Sequence, residues 1–330
     1  MALKIRNAIL HILRNDGRTS TFSETELDIA SETCEAFIAK HVKRLMNNPA
    51  VRSAHFTTNS PMYEWLSDYQ AGRVYFKETA RNISEKLDGI MQQHATLPPC
   101  DLLIARVADK HGEYISIVKL YCQEVYAHQS RDADNQITKQ MALPFSSGKA
   151  ECSALITLGG DAMPISLMEK EVVIDGEVVP YFSEHFLECE AAPSRKEQVM
   201  VIDEINTSIV HEFYNDNPLA AARVKTALVE EAEATEGFIS VDNVAVQAFA
   251  DNQEAQQQYV QVMQDAGLRG EVPLGAKFTK QQFGTQRIKS DNGVELKFPA
   301  EMALDSDAME IERHSDGRVS VTFKFLTPLE

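Results

Sequence analysis

The chain has 330 residues, of which 44% are hydrophobic and 25% charged. That length suggests two domains and supplies a sizeable core, which excludes wholesale disorder, a collagen-like repeat or a disulfide scaffold. Thirty-two Lys and Arg against 49 Asp and Glu give a net charge of −17, so uniform coating of nucleic acid is excluded, although a local basic face is not.

Residues 5–14 are aliphatic and run into Asn15-Asp16-Gly17, which predicts a strand and a turn. Ser23 with Glu26 reads as a capping box opening a helix to Asn47. Ser60-Pro61 opens a short helix through Trp65, and a third helix covers 76–94 before Pro98-Pro99. The texture then turns to strands: 102–107 and 114–121 form a hairpin around Gly112, with further strands at 137–143, 152–158 and 164–170 and a turn at Asp175-Gly176. Helical spacing returns at 195–213, 219–234, 241–250 and 253–265. The last sixty or so residues read as strands at 277–282, 286–289, 294–298, 309–313 and 319–325, with turns at 290–293 and 314–317. The fold class expected is α+β: mixed helices with largely antiparallel sheets, a helical middle section and a C-terminal β-hairpin region. The expected domains are 1–180, an N-terminal α+β domain, and 181–330, a helical segment followed by an antiparallel β domain.

Few motifs carry chemistry. Five scattered Cys show no CxxC, which fits reduced thiols in a cytoplasm. Ser146-Ser147-Gly148-Lys149 ends like a phosphate-binding loop, but Leu143 stands where the first glycine is required and Ala150 where Ser or Thr is required. Nine His show no HExxH spacing, and there is no GxSxG. No catalytic residue, metal site or cofactor is expected. Glu295-Leu296-Lys297 has the E-x-K form of a metal-dependent nuclease. Strand alternation explains it equally, since Val294, Leu296 and Phe298 would face inward and leave Glu295 and Lys297 outside. The N-terminus lacks the form of a signal peptide, and no apolar run is long enough to span a membrane, so a cytoplasmic protein with no membrane contact is expected.

The strongest functional signal is local charge. Between Leu268 and Phe298, six cations (Arg269, Lys277, Lys280, Arg287, Lys289 and Lys297) face three anions, a local +3 that leaves −20 elsewhere. Gln281, Gln282, Thr285, Gln286 and Asn292 add neutral donors, and Phe278 and Phe283 are interleaved. This is the composition of a hairpin that touches phosphates, and those six residues are the candidate nucleic-acid contacts. Lys40, Lys43 and Arg44 form a weaker cluster, and Arg195-Lys196 near a helix start another.

Three stretches give the chain a family likeness: Ala8 to Leu13 at the start; Tyr181 to Glu190, with aromatic residues entering a long helix; and a C-terminal rhythm of Phe278, Arg287-Ile288-Lys289, Asn292-Gly293-Val294-Glu295-Leu296-Lys297-Phe298-Pro299 and a closing hairpin. In layout and length the chain resembles the NdpA-like bacterial nucleoid-associated proteins. Glu188 stands where that family carries glycine, and one of its paired glycines remains, as Gly293. The resemblance implies a non-enzymatic protein of the cytoplasm and nucleoid that binds DNA, double-stranded and also single-stranded. Two other readings of the sequence remain open. One is an acidic protein-interaction module in DNA metabolism or phage and mobile-element defence. The other is the metal-dependent nuclease. Apolar faces on 219–234 and 253–265 would serve a core or a homodimer equally.

Overall fold

The computed structural model describes residues 3–131, 134–143, 152–289, 293–314 and 318–324. It divides into two compact units, Met1–Ser194 and Arg195–Glu330.

In chain order the first unit contains β1 (Lys4–Leu13), α1 (Glu32–Asn47), β2 (Arg52–Phe56), α2 (Pro61–Gln70), α3 (Phe76–Gln93), β3 (Cys100–Ala108), β4 (Glu113–Leu120), β5 (Gln123–Arg131), β6 (Asp134–Ala142), β7 (Ser153–Thr157), β8 (Ile165–Met168), β9 (Val172–Ile174), β10 (Glu177–Val179) and β11 (Cys189–Ala191). Its main sheet has the order β1-β3-β4-β7-β8-β2-β11, with every neighbouring pair antiparallel. Both faces of this sheet are covered, and the strands show it: Leu102 and Ile104 join one core while Leu103 and Ala105 join the other. Met62 and Leu66 of α2 and Ala80, Ile83, Leu87 and Met91 of α3 pack on the first face. Ile38, Val42 and Leu45 of α1 pack on the second. Burial on both sides explains the nearly continuous apolar runs of β3 and β4.

The helix expected from Ser23 starts instead at Glu32. The capping box does not form because its two side chains are engaged by β1. Ser23 Oγ donates to the Leu10 carbonyl at 2.6 Å, and Glu26 accepts from Asn7 Nδ2 at 2.9 Å. Residues 21–27 therefore run beside β1, with Leu27 N donating to Ala8 O. Ser60 does accept from Tyr63 N as a helix cap, but α2 continues past Trp65 because Leu66 extends the buried face of Met62. β2 and β11 went unanticipated, being only five and three residues long. β5 also went unanticipated, and pairs with β6 as an exposed hairpin.

The division between units lies later than the expected 180/181. Tyr181, together with Phe182, Phe186 and Leu187 on the π-helical turn Phe182–Leu187 that it precedes, is fully buried in the first unit's core. Glu188 ends that turn in the left-handed region at φ 52°, a conformation that favours glycine, and its carboxylate is ion-paired with Lys86.

The second unit comprises α4 (Arg195–Tyr214), α5 (Pro218–Ala234), β12 (Phe238–Ser240), α6 (Val241–Ala248), α7 (Gln253–Asp265), β13 (Glu271–Pro273), α8 (Ala276–Phe283), β14 (Thr285–Lys289), β15 (Glu295–Pro299), β16 (Met309–Arg313) and β17 (Val319–Phe323). Asn217, Ser240 and Asn252 cap α5, α6 and α7 with their side chains. Ile202, Ile209, Val224, Leu228, Val244, Phe249 and Tyr259 make the helical core. Ala222 of α5 joins Phe298, Ala303 and Met309 in a second, smaller core beneath the β14–β15 and β16–β17 hairpins. The mixed α+β class expected from the sequence is the class observed.

Residues 277–282 are a helix, not the expected strand. Thr279 and Phe283 are buried four residues apart, a helical spacing that the polar Lys277, Lys280, Gln281 and Gln282 conceal. Gly237 shows why the approach to α8 is tight: a Cβ there would lie 2.7 Å from Gly275 Cα, and its carbonyl accepts from Gly275 N at 2.7 Å. The turns at 290–292 and 315–317, the Ser146–Lys149 loop and Phe325 lie outside the described residues. Among the described residues no helix is long and apolar enough to cross a membrane.

Candidate nucleic-acid interface

β14 and β15 alternate cleanly. Gln286 and Phe298 are buried and Ile288 and Leu296 half-buried, while Arg287, Lys289, Glu295 and Lys297 are exposed. The register places Arg287 directly opposite Lys297 and Lys289 opposite Glu295. Among the described residues three cations and one carboxylate therefore share one face. Arg287 reaches diagonally to Glu295 at 3.5 Å. Among the described residues Lys289 and Lys297 pair with no carboxylate.

The other three candidates lie apart from that face. Lys277 and Lys280 sit one turn apart on α8, and Lys280 Nζ donates to Glu233 at 2.8 Å, which raises the lysine's pKa. Arg269 follows α7, and its Nε donates to the Gln264 carbonyl at 3.4 Å. The hairpin thus unites Arg287, Lys289 and Lys297, and leaves Arg269, Lys277 and Lys280 outside the group.

A glycine sets the angle between α8 and the hairpin. At Gly284 a Cβ would meet the Lys280 carbonyl oxygen at 2.5 Å, so the chain passes from helix to strand only without a side chain there. Gly284 N donates to the same carbonyl at 2.9 Å.

Two clefts flank this face. One, of about 470 Å³, lies among α4, α5 and β14 and includes Asn206, Lys225, Gln286, Arg287 and Lys289. The other, of about 410 Å³, includes Gln281, Gln282, Lys225, Arg287 and Lys297. Asp203, Lys225 and Arg287 border both. Lys225 is the cation that sequence reading missed. It is partly buried on α5, and its Nζ donates to Thr285 O at 3.4 Å. Burial lowers its pKa, Asp203 opposes that shift and Arg287 adds to it. The available signal was its place between Ala221, Val224 and Leu228 on an otherwise apolar stripe.

The E-x-K residues take the outward positions that alternation predicts, with Glu295 beside Arg287. Asp291, the acid upstream of them, lies outside the described residues.

These features define an acidic α+β protein whose C-terminal unit gathers cations on one hairpin. The chain belongs to the nucleoid-associated protein YejK family, whose model matches residues 9–328. The nucleoid-associated likeness read from the sequence is borne out over nearly the whole length, and the chain takes its place among nucleoid-associated proteins. No curated protein matches the chain significantly.

Proposed function

We propose that this nucleoid-associated protein binds DNA through the phosphate backbone, with Arg287, Lys289 and Lys297 of the β14–β15 hairpin as its contacts and Lys225 behind them, and that it does so as a binding protein without enzymatic activity. The observation that carries this reading is the Arg287–Lys297 pair. Like charges directly opposite on a two-stranded ribbon destabilise it. Such a pair on an exposed face of a chain with net charge −17 gains by meeting a polyanion. Backbone contacts of this kind position the protein and carry no base sequence. The acidic remainder would orient the molecule on DNA, duplex and single-stranded, in the cytoplasm and nucleoid.

The test is a mobility-shift assay with Arg287→Glu/Lys289→Glu at low salt. Loss of retention with an unchanged melting temperature supports the reading, and undiminished retention removes this face from it. Incubation with plasmid and Mg²⁺ or Mn²⁺ should leave the DNA intact. Nicking that disappears in Glu295→Ala would establish the nuclease instead.

A protein partner is the second reading, and the exposed β5–β6 hairpin favours it. Tyr126, Ile137 and Met141 share one face of that hairpin by register and are 75%, 79% and 52% exposed. Capture of a partner that survives nuclease treatment, from protein that retains no DNA, would favour it over direct DNA contact.

A further inference from the structure

The larger of the two clefts beside the hairpin holds polar groups that phosphate contact alone does not use. Asn206, on α4, is 5% exposed, and neither its Nδ2 nor its Oδ1 has a hydrogen-bond partner. Gln286, on β14, is also 5% exposed, and its Oε1 is unpartnered. Both line the cleft. Buried carboxamides without partners are rare because each forgoes its hydrogen bonds to water and receives nothing in return. Three unpartnered atoms, two on Asn206 and one on Gln286, belong to residues that line one cleft and point to a ligand that completes them.

The remaining lining says what kind of ligand. Lys225, Arg287 and Lys289 supply cations to the lining, which suits a phosphate. Asp203 and Asp216 also border the space, which disfavours a bare anion and suits a molecule that carries hydroxyl or amino donors as well. Asp216 is held by His211, whose Nδ1 lies 3.0 Å from its Oδ2. A carboxamide offers one donor and one acceptor side by side, the complement of a nucleobase edge and best matched by adenine. The volume of about 470 Å³ is within the usual range for small-molecule sites.

We propose that this cleft binds a single nucleotide unit, with its base on the carboxamides of Asn206 and Gln286 and its phosphate on Lys225, Arg287 and Lys289. The unit is either a free mononucleotide or an unpaired nucleotide of a DNA strand. The second source rests on the DNA-binding reading above, and the first does not. Lys225, partly desolvated beside the cleft, would gain a counter-charge when the nucleotide binds.

The experiment is calorimetric titration of the full chain with deoxyadenosine monophosphate, deoxyribose phosphate and a short oligo-deoxyadenylate. The mononucleotide should bind about tenfold or more tightly than the sugar phosphate, the discrimination expected of one good base contact. Asn206→Leu should lose that preference while melting no lower than the parent, because it removes two unpartnered polar atoms at similar volume. Equal affinity for mononucleotide and sugar phosphate, or the same preference in Asn206→Leu, would overturn the proposal, as would no binding of any of the three. Binding of the oligonucleotide alone, sensitive to Asn206→Leu, would identify the strand as the source. Duplex retention by the parent protein separates the two ideas: duplex retained without nucleotide binding defeats this inference and spares the DNA reading, and nucleotide binding without duplex retention does the reverse.

Discussion

Lys119 Nζ donates to the hydroxyl of Tyr181 at 2.8 Å, in a place where neither residue is exposed to solvent. The ammonium also sits over the rings of Tyr121 and Tyr181, 5.2 and 5.1 Å from their centroids. This contact joins β4 to the aromatic turn that follows β10, and so ties residues 181–187 into the first unit. Burial pushes the Tyr181 phenol far above its ordinary pKa, so the tyrosine stays neutral and its oxygen serves as acceptor.

The two partners should respond unequally to substitution. Tyr181→Phe leaves a buried ammonium without its acceptor and should destabilise the first unit by about 2–3 kcal/mol. Lys119→Met removes the charge at similar volume and should be neutral within about 1 kcal/mol or stabilising. Urea unfolding of the two variants checks this; a Lys119→Met protein less stable than Tyr181→Phe would contradict it.

Acid should weaken the first unit through two histidines. His11 and His41 are buried, each with one ring nitrogen unpartnered. Burial, with Arg81 adding to the effect at His11 and Arg44 and Lys40 at His41, lowers both from 6.5 to about 4. Between those values the unfolded chain binds more protons than the folded one, so stability rises with pH there. The contribution is fully present above about 6.5 and is lost as the pH falls toward about 4. Thermal unfolding of the parent at about pH 7 and about pH 4.5 should show the lower melting temperature in acid. His41→Leu, which keeps an apolar contact with Phe37, should reduce the difference. An unchanged difference would mean that other groups carry it.

Gly284 should resist substitution although its φ of −66° is open to any residue. The obstacle is the Lys280 carbonyl oxygen, which would lie 2.5 Å from a Cβ at this position and belongs to backbone that cannot swing aside. Gly284→Ala should therefore cost about 2 kcal/mol by overpacking and shift the hairpin relative to α8. Hydrogen exchange should rise at the β14–β15 amides in the variant, and exchange confined to α8 would point elsewhere.

How far the sequence revealed this arrangement depended on whether burial was one-sided. α4, α5, α6 and α7 were legible because Ile202, Ile209, Val224 and Leu228 recur at helical spacing and side chains cap three of the four. β14 and β15 were legible because polar and apolar residues alternate over a single core. α8 was not, since two buried residues in eight carry too weak a period against four polar ones. The capping box at Ser23 failed because a strand distant in neither sequence nor space claimed the same oxygen atoms, a competition that local pattern cannot register. Of the six basic residues, proximity in sequence grouped those on α8 with those on the hairpin, and only the fold separates them. Lys225 escaped because it lies 62 positions before Arg287 and meets it through tertiary packing.

That separation sets a graded expectation for salt dependence. If DNA meets the hairpin face, each phosphate neutralised there contributes about −0.9 to the slope of log K against log salt on duplex DNA. Lys289→Ala and Lys297→Ala should each make the slope shallower by about that amount. Lys277→Ala and Lys280→Ala should leave it nearly unchanged, because neither borders the two clefts and Lys280 is already paired with Glu233. Glu295→Gln should strengthen binding, since it frees Arg287 from the carboxylate beside it. Fluorescence anisotropy with a labelled duplex over a range of potassium chloride concentrations measures the five variants beside the parent. Equal slope changes for α8 and hairpin lysines would mean that the contact follows the whole 269–297 segment and not the hairpin alone.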